Sequence, residues 1–319
     1  MISAGGSVPL TTPDLWLTGA ERSVMLAGLA IALGGLAGRG LSRQYKGERG
    51  GPLPEPWALR GSLLGLAASI ALALTARIGP VLATRLAMPA PDGLPGGGTA
   101  RIAVIEVALF ALSAVLLRVR RPGWAALLLS GVILAEGIRS HPEGVVPVAG
   151  AFVTYCHLTP AVLWAGMLFY ALRVGIAWRA SPAAAQGIIR LYATAAAWLF
   201  TLVLITGVIS ALVLVPLNSL FSTTYGLFLV AKAVIVCVAA GLAVAGRAWL
   251  RRRPETAAGP PLATRLEICA LAVVLAITGI LTVLTPPARP ADAPSTAPCP
   301  AGRVCPAQAA AAAALGRRG

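Results

Sequence analysis

Residues 148–172 read VAGAFVTYCHLTPAVLWAGMLFYAL, 25 residues without an Asp, Glu, Lys or Arg. A bilayer core about 30 Å thick is spanned by a helix of about 20 apolar residues, so this run is long enough to cross one. It is rich in Leu, Ala, Val and Gly and lacks strict alternation. That pattern favours a helix over a barrel strand, because a helix satisfies its own backbone hydrogen bonds in lipid. Seven more apolar runs lie at 23–37, 59–78, 102–117, 124–138, 191–215, 226–249 and 268–284; the shorter ones need flanking residues to span. The sequence predicts an all-α, polytopic membrane helix bundle of about eight transmembrane helices.

Composition agrees. The chain has 319 residues, 57% hydrophobic and 12% charged, with a mean hydropathy of +0.82. Soluble domains carry roughly 25% charged residues, so an ordinary soluble enzyme is excluded. A net charge of +15 can signal a nucleic-acid partner, but here the charge is sorted by loop. Sixteen cationic residues fall in four alternate loops: Arg39, Arg43, Lys46, Arg49 and Arg60; Arg118, Arg120 and Arg121; Arg173, Arg179 and Arg190; Arg247, Arg251, Arg252, Arg253 and Arg265. The opposite loops hold only Arg22, Arg85, Arg101 and Arg139. The positive-inside rule makes the rich side cytoplasmic, and eight spans then put both termini outside. The excess charge reads as topology, and no nucleic-acid partner is expected.

Residues 1–19 carry no basic stretch before the first run, so no cleavable signal peptide is expected. The predicted organisation is an extracytoplasmic tail at 1–22, a four-helix membrane half at 23–147, a second four-helix half at 148–287, and a Pro- and Ala-rich disordered extracytoplasmic tail at 288–319. Residues 88–98 form a Pro/Gly connector outside, and 181–186 link spans five and six inside.

Ionisable groups in a span are costly and mark functional candidates. They are Arg77, Glu106, Glu136, His157, Lys232 and Glu267. The first five fall in the outer half of the bilayer and are expected to meet in one outward-opening pocket; Glu267 starts the last span. Two readings stand. Arg77 and Lys232 could pair with Glu136 and Glu106 to lock the bundle, or the cluster could line a cavity that accepts a cation. His157 could bond between helices or serve as a ligand. Cys156 beside it, Met167, and His141 in the preceding loop raise the second possibility, since imidazole, thiolate and thioether together suit copper, Cu(I) above all. Adjacent helical residues point about 100° apart, so Cys156 and His157 need not share a cavity. His157 and Trp164 are seven apart, as are Tyr225 and Lys232, so each pair lies along one helical face. Pro160 frees a carbonyl in the same span and can kink it. Cys299 and Cys305, in CPAGRVC, form either a disulfide or an outer copper-capturing pair. No phosphate loop, nucleophile elbow or zinc-protease motif is present, so no enzyme is expected. With one histidine in a span, no bis-histidine haem is expected either.

Four segments in consecutive spans resemble the copper-resistance protein D (CopD) family of bacterial inner-membrane proteins. They are His157-Leu158 with Trp164-Ala165-Gly166; Ile205-Thr206-Gly207-Val208-Ile209-Ser210-Ala211-Leu212; Thr224-Tyr225-Gly226 leading to Lys232; and Leu266-Glu267 with Pro286-Pro287. The resemblance covers 148–287. Met167 stands where the family often has a second glycine, and Arg139-Ser140-His141-Pro142 replaces its Gly-His-Ala. The resemblance implies a multi-pass protein of the bacterial cytoplasmic membrane that handles copper, by uptake from the outer face, in some members beside a periplasmic CopC-like partner. A membrane scaffold for a copper enzyme, and a transporter or sensor of a non-metal solute, remain open at this level.

Overall fold

In the computed structural model the described residues are 13–45, 47, 50–85, 97–140, 146, 148–216, 219–252, 262–284 and 286–287. Eight helices and no strand occur among them. Helix α1 runs as Pro13–Leu29, a π-helical turn Ala30–Gly34, and Gly35–Arg43. It is followed by α2 (Ala58–Arg85), α3 (Gly97–Arg118), α4 (Pro122–Ile138), α5 (Ala149–Ala177), α6 (Pro182–Leu214), α7 (Thr224–Arg252) and α8 (Leu262–Leu281). Every expected apolar run falls on its own helix, and the protein is an all-α membrane helix bundle. Stretches of α1, α2, α5, α6 and α7 are long and apolar enough to cross a membrane. Helix α4, with 17 residues, rises only about 25 Å.

Two boundaries differ from expectation. Helix α1 begins at Pro13, inside the stretch expected to be tail. Helix α6 begins at Pro182, so the expected linker 181–186 is mostly helix. Proline suits the first helical position, where its missing N–H is not needed, and Ala183, Ala184 and Ala185 are strong helix formers. The remaining connection is a tight turn, in which Ser181 N–H donates to the Trp178 carbonyl at 2.8 Å. Most of the connector at 88–98 lies outside the described residues.

Helix α1 packs against α2, α5 and α8. Lipid supplies no hydrophobic drive between helices, so close packing of small residues does the joining. A methyl group on Gly28 would come within 2.6 Å of the Gly65 nitrogen on α2. On the α5 side, Gly34 meets Gly166, and a methyl on Gly166 would collide with the Ala30 carbonyl oxygen. The π turn therefore sits where α5 crosses most closely, and Gly166 is required there for space. Buried Met25, Leu29, Phe110, Leu129, Ile133 and Leu168 fill the centre of the bundle.

The segment between α1 and α2 is tied to one end of α5. Trp178 Nε1, Tyr170 OH and Arg173 Nη1 donate to the carbonyls of Pro52, Pro54 and Glu55 at 3.3, 2.9 and 2.6 Å. The Arg60 and Arg173 guanidiniums lie 4.8 and 4.2 Å from the Trp57 ring centre, within cation–π range. Arginines from two of the loops read as cytoplasmic thus meet at one end of the bundle.

Candidate functional site

Toward the other end, α1, α4, α5, α6, α7 and α8 enclose a cavity of about 310 Å³. Its wall is mostly apolar, and its charged or ionisable members include Arg22, Glu136, Arg139, His157, Tyr225 and Lys232. Helical spacing explains the set. His157, Ala161 and Trp164 follow one face of α5, and Tyr225, Leu229 and Lys232 one face of α7; all six line the cavity. Both seven-residue pairs seen in the sequence share this wall.

His157 packs against α6. Its Nδ1 lies 3.1 Å from Thr206 Oγ1. The Thr206 hydroxyl donates to the Leu202 carbonyl at 2.6 Å. A hydroxyl has one proton, so with that proton on Leu202 the oxygen can accept from His157. In the tautomer protonated on Nδ1, the Nε2 lone pair is the one left for an acceptor or metal-ligand role. Gly207 leaves room for the ring, since a methyl there would come 3.1 Å from His157 Cε1.

At the edge of the cavity Arg139 binds two buried carboxylates. Its Nη2 lies 3.0 and 3.3 Å from the two oxygens of Glu106 and also pairs with Glu136. Of the pairings read as possible from the sequence, Lys232 with Glu106 is not among the ion pairs of the described residues. Arg139 follows α4 directly and folds back over one turn onto Glu136, which places its guanidinium against Glu106 on α3. A planar guanidinium with several donors can serve two carboxylates, which a single ammonium does less well. Arg22 on α1 completes the cluster. It lies within electrostatic reach of both carboxylates and donates to the Thr282 carbonyl just past α8 at 3.1 Å. Lys232 makes no ion pair among the described residues; it lines the cavity instead of pairing with Glu106. Arg77 is on α2, with its side chain outside the described residues.

A second polar group lies deeper. Glu267 Oε1 accepts hydrogen bonds from Trp164 Nε1 at 3.1 Å and from Tyr192 OH at 3.2 Å. All three residues are buried. Trp164 therefore touches the cavity on one side and this knot on the other. Glu267 was visible in the sequence as an acid inside a span, yet its partners come from α5 and α6 and have no local signal.

The remaining candidates are dispersed. Cys156 is half-buried and is not on the cavity wall. Met167 is buried in the core beside the α1–α5 crossing. His141, Cys299 and Cys305 lie outside the described residues. Among the described residues, no three His, Cys, Asp or Glu side chains converge on a metal-sized site.

Residues 186–285 match the family model of CopD, copper resistance protein D. Through this segment the chain is similar to the CopD family. The CopD match takes in three of the four segments noted in the sequence, those containing Thr206, Lys232 and Glu267. His157, Trp164 and Gly166 precede it. No curated protein and no solved structure matches significantly. The apolar helices support a multi-pass membrane protein, and the match is to a family described by copper resistance.

Proposed function

We propose that the protein carries copper across the bacterial cytoplasmic membrane, taking it up from the extracytoplasmic face through the cavity, with His157 as a ligand inside the bundle. The observation that carries this reading is the Thr206–His157 contact. It gives a histidine on the cavity wall a side-chain partner at Nδ1, the kind of support that orients a metal-binding histidine. The CopD match supports copper as the cargo.

The charge distribution supports the direction. Arg60 and Arg173 meet at the end of the bundle that the positive-inside rule makes cytoplasmic, and the cavity lies toward the opposite end. The Trp164–Glu267–Tyr192 knot closes its inner side. Outside, His141 or the Cys299/Cys305 pair would receive copper first, from a CopC-like partner where one is present. Transfer would proceed by exchange of ligands and would draw on an ion gradient or on the copper gradient itself.

The test is radiocopper uptake by the full-length protein in proteoliposomes. Uptake well above that of empty vesicles is expected. Copper binding by the purified protein without uptake would overturn transport in favour of a scaffold role.

A further inference from the structure

Among the described residues, the cavity contains one cation, Lys232, that lies apart from any carboxylate pair. Arg22 and Arg139 stand against Glu106 and Glu136, two charges of each sign in one cluster. Lys232 is apart from it. It lines the cavity and makes no ion pair among the described residues. His157 lines the same cavity. An ammonium among apolar side chains is unfavourable unless an anion joins it or it gives up its proton.

Size and shape say what kind of anion. A cavity of about 310 Å³ is on the scale of an organic ligand site and far larger than a single inorganic ion needs. On α6 and α7 the cavity wall is largely apolar, with Leu204 and Val208 from α6 and, a turn to either side of Lys232 in the sequence, Leu229 and Val236 from α7. These two helices pack only lightly on each other, and both carry exposed apolar residues, such as Ile205 and Val234. In a bilayer this cleft faces lipid.

We infer that the cavity binds a small amphipathic carboxylate, its head on Lys232 and its apolar body along the walls of α6 and α7. The ligand can reach the site from the aqueous phase or, as a fatty acid, from the bilayer; the recognition chemistry is the same. A bound carboxylate would also cancel the positive charge beside His157, a consequence that rests on the copper reading, whereas the site itself does not.

The test is equilibrium binding of radiolabelled dodecanoate to the full-length, delipidated protein in neutral detergent, with copper removed by a chelator. Saturable binding near one per chain is expected, at least tenfold tighter than that of methyl dodecanoate. Lys232→Met should weaken dodecanoate binding at least tenfold, and Lys232→Arg should retain it. Competition by butyrate as well as by dodecanoate would place the source in the aqueous phase; competition by the long chain alone would place it in the bilayer. Equal binding of acid and ester by the wild type would overturn the inference, and this comparison stands even if Lys232→Met fails to fold. Unchanged dodecanoate binding in a folded Lys232→Met protein would overturn it as well. Because copper is absent throughout, failure here leaves the copper reading untouched.

Discussion

Thr206 Oγ1 lies 3.1 Å from Nδ1 of His157 and donates to the Leu202 carbonyl. One hydroxyl on α6 thereby supports a histidine on α5. If Nε2 is a copper ligand, that support matters. Changes to such supporting groups weaken metal binding about 10–100-fold. Thr206→Val is expected to weaken Cu(I) binding within that range, and Thr206→Ser to stay close to wild type. Anaerobic competition against a Cu(I) chelator reads both. Equal affinity in Thr206→Val would remove Thr206 from the site.

The Arg139 cluster makes a prediction about stability. Removing one partner of a buried ion pair costs about 3–5 kcal/mol because a charge is left behind. Arg139→Ala should therefore lower the melting temperature of the purified protein sharply. Adding Glu106→Gln, which leaves Arg22 against Glu136, should recover much of the loss. A double variant as unstable as the single would show that the guanidinium is not there to balance the carboxylates.

The Lys232–Glu106 pairing that the sequence left open can be tested by a double-mutant cycle. Lys232 and Glu106 are not paired, so the effects of Lys232→Ala and Glu106→Ala on stability should add to within about 0.5 kcal/mol. Arg139→Ala and Glu106→Ala should be strongly coupled in the same assay. Coupling between Lys232 and Glu106 as large as that between Arg139 and Glu106 would restore the pairing expected from the sequence.

The bundle itself was legible in the sequence. Each apolar run became one helix because lipid leaves few other ways to satisfy backbone polar groups. The cavity wall was partly legible too, since His157 with Trp164 and Tyr225 with Lys232 sit at helical spacing. Ion-pair partners were not. Arg139 looked like a loop residue because sequence does not show a side chain folding back over one turn. Glu267 was visible as an acid, but its donors on α5 and α6 are 103 and 75 residues away in the chain. Met167 looked like a ligand from its chemistry alone, yet its position on α5 turns it into the core.

The α1–α5 crossing gives a separate check on the fold. Gly166→Ala would press a methyl into the Ala30 carbonyl, and overpacking of this kind costs about 1–3 kcal/mol. Gly241→Ala on α7 has nothing within 4 Å and should be neutral or slightly stabilising, as alanine is the better helix former. Thermal unfolding of both proteins should separate them clearly. Equal melting temperatures would mean that α1 and α5 are not in close contact at the π turn.

The central claim is that His157 handles copper within the bundle. The most direct measurement is radiocopper uptake into proteoliposomes containing wild-type protein or His157→Ala, with folding matched by melting temperature. Uptake falling to the level of empty vesicles in His157→Ala is the predicted result. Uptake by His157→Ala equal to wild type would contradict it.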